Sequence, residues 1–135
     1  IQENWPELYR YMLDIFKEVL RLNTTGMLKH NWDDSIFPCT MFNLDPNTML
    51  LAHRNIQNLA FGLCVVHAIG NYNADRGGHL ILWDLGLIIC FPPGATLIFL
   101  SALILYSNTA IQPHKERYSF TQFFAGHLAR WAYNG

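Results

Sequence analysis

Charge is scarce in this sequence: of 135 residues, 9 are Lys or Arg and 10 are Asp or Glu, a formal net charge of -1. So even a balance sets up no basic field across the chain, and nucleic acid or anionic lipid could be met only through a local patch. Cysteine is sparse as well. Cys39, Cys64 and Cys90 lie in apolar surroundings without C-x-x-C spacing. They read as small buried hydrophobes in a reducing compartment, not as disulfides or zinc ligands. Internal repeats, low-complexity tracts and linkers are missing, and the length suits one domain, 1–135, around a single core. No secretory or transit pattern opens the chain, so the expected location is intracellular, nuclear or cytoplasmic. A start at Ile1 is compatible with a fragment of a longer protein.

What the sequence does have is a long stretch without charge, from Leu85 to Pro113. Its apolar part, LGLIICFPPGATLIFLSALIL (Leu85 to Leu105), has the length of a membrane span, which needs roughly 20 apolar residues in continuous helix. Pro92-Pro93-Gly94 interrupts it, and consecutive prolines remove donors and clash with the preceding turn. The flanking Asp84 and Ser107-Asn108 are not interfacial anchors either. Two short apolar runs around a turn suit buried strands, so this segment is expected in the interior of a β-barrel, with no membrane partner.

The rest of the chain fits that reading. Asn4-Trp5-Pro6-Glu7 is a helix start, and Leu8, Met12, Ile15, Phe16, Val19 and Leu20 keep helical spacing until Asn23-Thr24-Thr25-Gly26. This predicts one helix over about residues 5–22, laid against a sheet. From Ile36 onward turn residues punctuate candidate strands at Phe37–Leu44, Thr48–His53, Leu59–Ile69, His79–Leu85, Leu87–Phe91, Ala95–Leu105, Arg117–Phe124 and His127–Ala132. One helix followed by about eight strands points to a mainly β sandwich or barrel.

Three short segments could carry chemistry. His53-Arg54-Asn55 places His53 and Asn55 on one side of an extended chain. Two imidazoles and a carboxylate, with His-x-Asp as half of the set, form the facial triad that holds non-haem Fe(II); here an amide stands in the acid's place. Arg117-Tyr118-Ser119 puts a guanidinium and a hydroxyl on the same side of a strand, a pair suited to gripping a carboxylate. Gly77-Gly78 before His79-Leu80 supplies a sharp turn and a close backbone approach. Taken singly these are a polar loop, an edge-strand arginine and a turn. Tyr72, Asp75 and Arg76 form an ordinary loop that could rim a barrel mouth. Trp83 and Trp131 read as core or rim packing.

Taken in order, HRNIQNLAFGLCVVHAIGNYNADRGGHLILWDL, FPPGATLIFLSALILYSN and ERYSFTQFFAGHLARW closely resemble a fungal group of double-stranded β-helix proteins. That group looks like a branch of the 2-oxoglutarate- and Fe(II)-dependent oxygenases related to the ten-eleven-translocation and J-binding-protein enzymes. The resemblance runs from about Phe37 to Gly135. It implies a jelly-roll or cupin-like barrel with a supporting N-terminal helix, Fe(II) and 2-oxoglutarate as cofactors, and a nucleic acid whose nucleobase methyl is oxidised as substrate. In the group the first motif usually reads His-Arg-Asp and a later one Ser-Ala-x-x-x-His-Ser-Asn. The matching residues imply His53 as a kept metal-ligand position, Asn55 and Tyr106 as altered ones, and Arg117 with Ser119 as the cosubstrate anchor.

The two departures bear directly on activity. An amide oxygen is a neutral, weaker donor than a carboxylate. A phenol must lose a proton at a reference pKa of about 10, and it favours ferric iron. Altering a mere supporting partner of a metal typically costs ~10–100-fold in affinity or activity, and two lost ligands cost more. His67, His79 and His127 are the other imidazoles that proximity offers, while His30 and His114 fall in loops. The expectation is a dioxygenase-like barrel with impaired catalysis, or a non-catalytic binding or structural barrel. The competing reading is an active oxygenase acting on a nucleobase methyl or another C–H bond through a non-standard iron site.

Overall fold

A computed structural model describes residues 1–135. Helix α1 covers Pro6–Leu22, with Pro6 at its first turn, Glu7 at its positive end and Arg21 at its negative end. Met12, Ile15, Phe16 and Val19 recur every three or four residues and form its buried stripe. Seven strands follow: β1 (Cys39–Asn43), β2 (Cys64–Asn71), β3 (Leu80–Leu82), β4 (Leu87–Ile89), β5 (Thr96–Phe99), β6 (Tyr106–Asn108) and β7 (Glu116–Phe123). A short 3-10 turn, Trp83–Leu85, separates β3 from β4, and helix α2 (Gly126–Asn134) closes the order.

All strand pairings are antiparallel. One sheet runs β1-β7-β2-β5 and the other β4-β3-β6. Alternation along the strands separates two cores. Cys64, Val66 and Ala68 of β2 join Leu80 and Leu82 of β3, Phe91, Phe99 and Tyr106 in the space between the sheets. The intervening Val65 and Ile98 turn the other way, onto a core of α1 residues, Phe37, Leu63, Phe124 and Ala129 of α2. The layers are therefore helix pair, large sheet, small sheet. The mainly β, jelly-roll-like architecture with its N-terminal helix is the one expected.

Several expected elements differ. The chain from Thr48 to His53 is not a strand; it touches β6 through one isolated bridge, His53 to Tyr106. Residues 127–132 are helical, because Leu128, Ala129 and Ala132 at helical spacing pack on the α1 core. The run from Ala95 ends its strand at Phe99, then turns through Ser101–Ile104, with the Ile104 N–H donating to the Leu100 carbonyl. The stretch from Leu85 is only partly interior: Leu85 and Leu103 are exposed on turns, and Leu87 and Ile88 are exposed because β4 is an edge strand. Trp83 is exposed too, its indole N–H donating to Ser107 Oγ at 3.0 Å. Cys64 is buried, Cys39 half-buried, and Cys90, read as buried, is exposed beside that same edge. No helix is long and apolar enough to cross a membrane.

The Gly-Gly pair behaves as a close-approach device. Gly78 sits at φ +72° with its N–H on the Ala110 carbonyl, and a side chain there would strike the Tyr72 ring. Tyr72 in turn donates its hydroxyl to the Phe91 carbonyl. Phe91 is 2% exposed at the centre of the inter-sheet core. Phe91→Ala is expected to cost about 3–5 kcal/mol of unfolding free energy, whereas Ile88→Ser at the exposed edge should change it by less than about 0.5 kcal/mol. Urea denaturation of the two variants checks this.

Candidate functional site

Register decides which side chains meet between the sheets. On β7, Ser119 pairs with Ala68 and Arg117 with Gly70 of β2. Ala68 faces the inter-sheet core, so Arg117, Ser119, Thr121 and Phe123 face it too. On β6, Tyr106 pairs with Leu82 and Asn108 with Leu80, both inward, which turns Tyr106 and Asn108 toward the large sheet. The free edge of β6 is covered by the irregular chain that carries His53 and Asn55. His53 and Tyr106 exchange backbone hydrogen bonds at 3.0 Å each way, and the Asn55 N–H donates to the Ser101 carbonyl at 2.9 Å.

His53, Asn55 and Tyr106 consequently meet although 53 and 106 lie far apart in the chain. The His53 ring packs on the Tyr106 ring with centroids 4.4 Å apart, and its Nδ1 lies 2.8 Å from the Leu51 carbonyl. Asn55 Nδ2 donates to the Tyr106 hydroxyl oxygen at 2.9 Å. Burial raises the Tyr106 pKa, the neighbouring Cys64 thiol adds to the rise and the Asn55 hydrogen bond offsets part of it; the phenol is pushed up to about 12. Burial likewise pushes the Cys64 thiol up to about 11. At neutral pH this corner of the site holds no anion.

A cavity of about 500 Å³ opens beside this trio, with Asn55, Tyr106, Ser119 and Thr121 on its wall. A smaller chamber of about 20 Å³ lies next to it, lined by Arg117 and by Asn108. Asn43, Leu50 and Ser119 wall both spaces. Arg117 is held at its backbone, where its N–H donates to the Pro46 carbonyl at 2.9 Å. Its Nη1 is buried without a hydrogen-bond partner, and burial lowers the guanidinium pKa. A buried donor left unpaired is costly, and a carboxylate is its natural complement.

Two supports escape any reading of the sequence by single motifs. Arg54, between His53 and Asn55, donates from Nη2 to both oxygens of Asp84 at 3.0 Å and from Nε to the Leu103 carbonyl at 2.8 Å. Asp84 also accepts the Leu105 N–H, at 2.6 Å, and that bond with the Arg54 guanidinium holds its carboxyl below the usual range. The clamp ties the His53–Asn55 segment to the turn that leads into Tyr106. Asn108 is the second support: its Oδ1 accepts the Leu50 N–H and its Nδ2 donates to the Thr48 carbonyl at 3.0 Å. Asn108 closes the Ser-Ala-x-x-x-His-Ser-Asn pattern, the one signal that could have found it.

The other imidazoles do not complete a ligand set. His67 faces the helix side, its Nδ1 2.8 Å from Thr96 Oγ1 and its ring edge-on to Phe120. His79 Nδ1 lies 3.3 Å from Thr109 Oγ1. His127 lines the large cavity, but its Nδ1 lies 2.6 Å from Arg130 Nη2, placed to accept from it. No group of three or more His, Cys, Asp or Glu side chains is placed to hold a metal ion. One imidazole, one amide and one neutral phenol do not fit Fe(II), which takes neutral imidazoles with an anionic carboxylate. The unpartnered Arg117 Nη1 does fit the carboxylate of 2-oxoglutarate.

Raised tyrosine ionisation has a consequence for stability. The folded state keeps the Tyr106 proton between pH 10 and about 12, where the unfolded chain loses it. Stability from this group is thus fully present below pH 10 and is lost as pH rises toward 12, by on the order of 2 kcal/mol. Urea melts at about pH 9 and about pH 11.5 should show a smaller loss in Tyr106→Phe than in the unaltered chain.

No protein-family model matches this sequence, and no curated protein matches it. Among solved structures, NgTET1 in complex with 5mC DNA superposes with a TM-score of 0.60 at 18% identity, over 89% of this chain and 52% of that one. This chain therefore spans about half the length of that structure. The 2-oxoglutarate complex of the viral collagen prolyl hydroxylase vCPH from Paramecium Bursaria Chlorella virus-1 is similar at TM-score 0.44 and 13% identity, over 84% of this chain and 72% of that one. An RmlC-like cupin protein from Desulfovibrio desulfuricans is similar at 0.39 and 15%, over 72% of this chain and 96% of that one. The likeness to NgTET1 shows the fold alone: two antiparallel sheets in a double-stranded β-helix arrangement.

Proposed function

We propose that this chain is a dioxygenase-type barrel that no longer performs iron chemistry and serves as a carboxylate-binding module. The observation that carries the reading is the 2.9 Å hydrogen bond from Asn55 Nδ2 to the Tyr106 hydroxyl. Two positions that the family resemblance assigns to metal ligands are engaged with each other, and neither offers a negative charge. Polar groups that satisfy one another in a buried setting have little to gain from a cation.

Arg117 and Ser119 are the residues that would hold 2-oxoglutarate. Bound to an oxygenase, that cosubstrate supplies the two electrons that complete the reduction of dioxygen as it is decarboxylated to succinate. In this chain Arg117 would grip the carboxylate through its unpaired Nη1, and the Ser119 hydroxyl would add one hydrogen bond. Nucleic acid is the partner suggested by the DNA bound in the NgTET1 structure, although a net charge of -1 adds no general attraction to phosphates. Three cysteines without a disulfide support an intracellular setting.

Iron binding is the direct test. Anaerobic titration of the unaltered chain with Fe(II) and 2-oxoglutarate is expected to give no stoichiometric complex, and admitting air to the mixture is expected to release no succinate. Asn55→Asp combined with Tyr106→His should raise metal affinity by at least about tenfold, the range that metal-site partners command. Tight iron and succinate release from the unaltered chain would overturn the proposal.

A further inference from the structure

The geometry around Arg117 constrains what its carboxylate partner can be. The chamber it lines, about 20 Å³, accommodates one small group. Asn43, Leu50 and Ser119 wall both this chamber and the cavity of about 500 Å³, so a ligand reaching from one to the other runs along these three residues. The walls there are apolar at Met41, Ile56 and Phe123, with neutral amides at Asn55 and Asn58. Arg54 is the one lysine or arginine on that wall, and its guanidinium is already committed to Asp84 and the Leu103 carbonyl. His127 Nδ1 faces Arg130 Nη2, so the imidazole has a cation for a neighbour at that nitrogen.

We propose that the site selects a monocarboxylate, its acid group against Arg117 and Ser119 and its uncharged, partly apolar body beside Tyr106, over dicarboxylates such as 2-oxoglutarate. This rests on the reading that Arg117 still anchors a carboxylate. With an amide and a phenol beside the cavity, the second acid group of 2-oxoglutarate meets no uncommitted lysine or arginine among the lining residues. An uncharged body instead gains from covering Met41 and Ile56, and its polar atoms find amide partners. The inference therefore names a ligand class that the loss of iron should favour.

Calorimetric titration of the full chain in EDTA with 5-phenylpentanoate, glutarate and 2-oxoglutarate tests it. 5-Phenylpentanoate is expected to bind at least about tenfold more tightly than either dicarboxylate, and Arg117→Met should weaken it by at least about tenfold. Dicarboxylates binding as tightly as 5-phenylpentanoate, with that binding lost in Arg117→Met, would overturn the selectivity and leave the anchor standing. Absence of binding, or binding unchanged in Arg117→Met, would overturn the anchor and the selectivity together. Should Arg117→Met not fold, the guanidinium proton resonances of Arg117 in the unaltered chain separate the same outcomes. They shift on adding 5-phenylpentanoate if the anchor is right and stay in place if it is wrong.

Discussion

Strand β7 must keep its register for anything at this site to exist. It is paired on both sides, to β1 from Cys39↔Phe123 to Asn43↔Ser119 and to β2 from Val65↔Gln122 to Asn71↔Glu116. A slip of one residue would send Arg117 and Ser119 to the helix side and bring Tyr118 and Phe120 between the sheets. Two-sided pairing makes that slip expensive. Gly70, opposite Arg117, sits at φ +133°, and a side chain there would collide with the Glu116 backbone. The main chains come close just where the guanidinium enters the interior.

Much of this was legible along the chain. The period of α1 marked its length, and the two-residue spacing of Arg117 and Ser119 put both on one side of a strand. His53, Asn55, Tyr106, Arg117 and Ser119 were singled out by the order of their motifs and not by any one of them. The failures have physical causes. His127–Ala132 reads as strand material, and only the packing of Leu128 and Ala132 on α1 makes it helical. The segment after Asn47 is extended enough to suggest a strand, yet Asn108 holds it by side-chain bonds in place of a ladder. The Arg54–Asp84 pair joins residues 30 apart, and nothing local announces it. Leu87 and Ile88 seemed interior because apolar runs usually are, but an edge strand exposes one flank and its outer face.

The pairing of the Asn55 amide with the Tyr106 phenol has a thermodynamic logic. A lone carboxylate between these sheets would need a cation or a network of donors to remain charged. An Asn–Tyr pair needs neither, since each satisfies the other and both stay neutral. That corner is therefore left with no uncompensated charge. Arg117 is the contrast: a cation whose Nη1 is still unmatched. Two neighbouring parts of one site thus stand at opposite ends of polar satisfaction.

The Arg54–Asp84 clamp lies at the rim, with both side chains about two-fifths exposed. It joins three stretches of chain that share no sheet ladder at that point. Dissolved ions and denaturant reach such a bridge sooner than they reach Phe91 or Cys64. Loosening of the molecule would then start where His53 and Asn55 are tethered, while the interleaved sheets behind them stay shut.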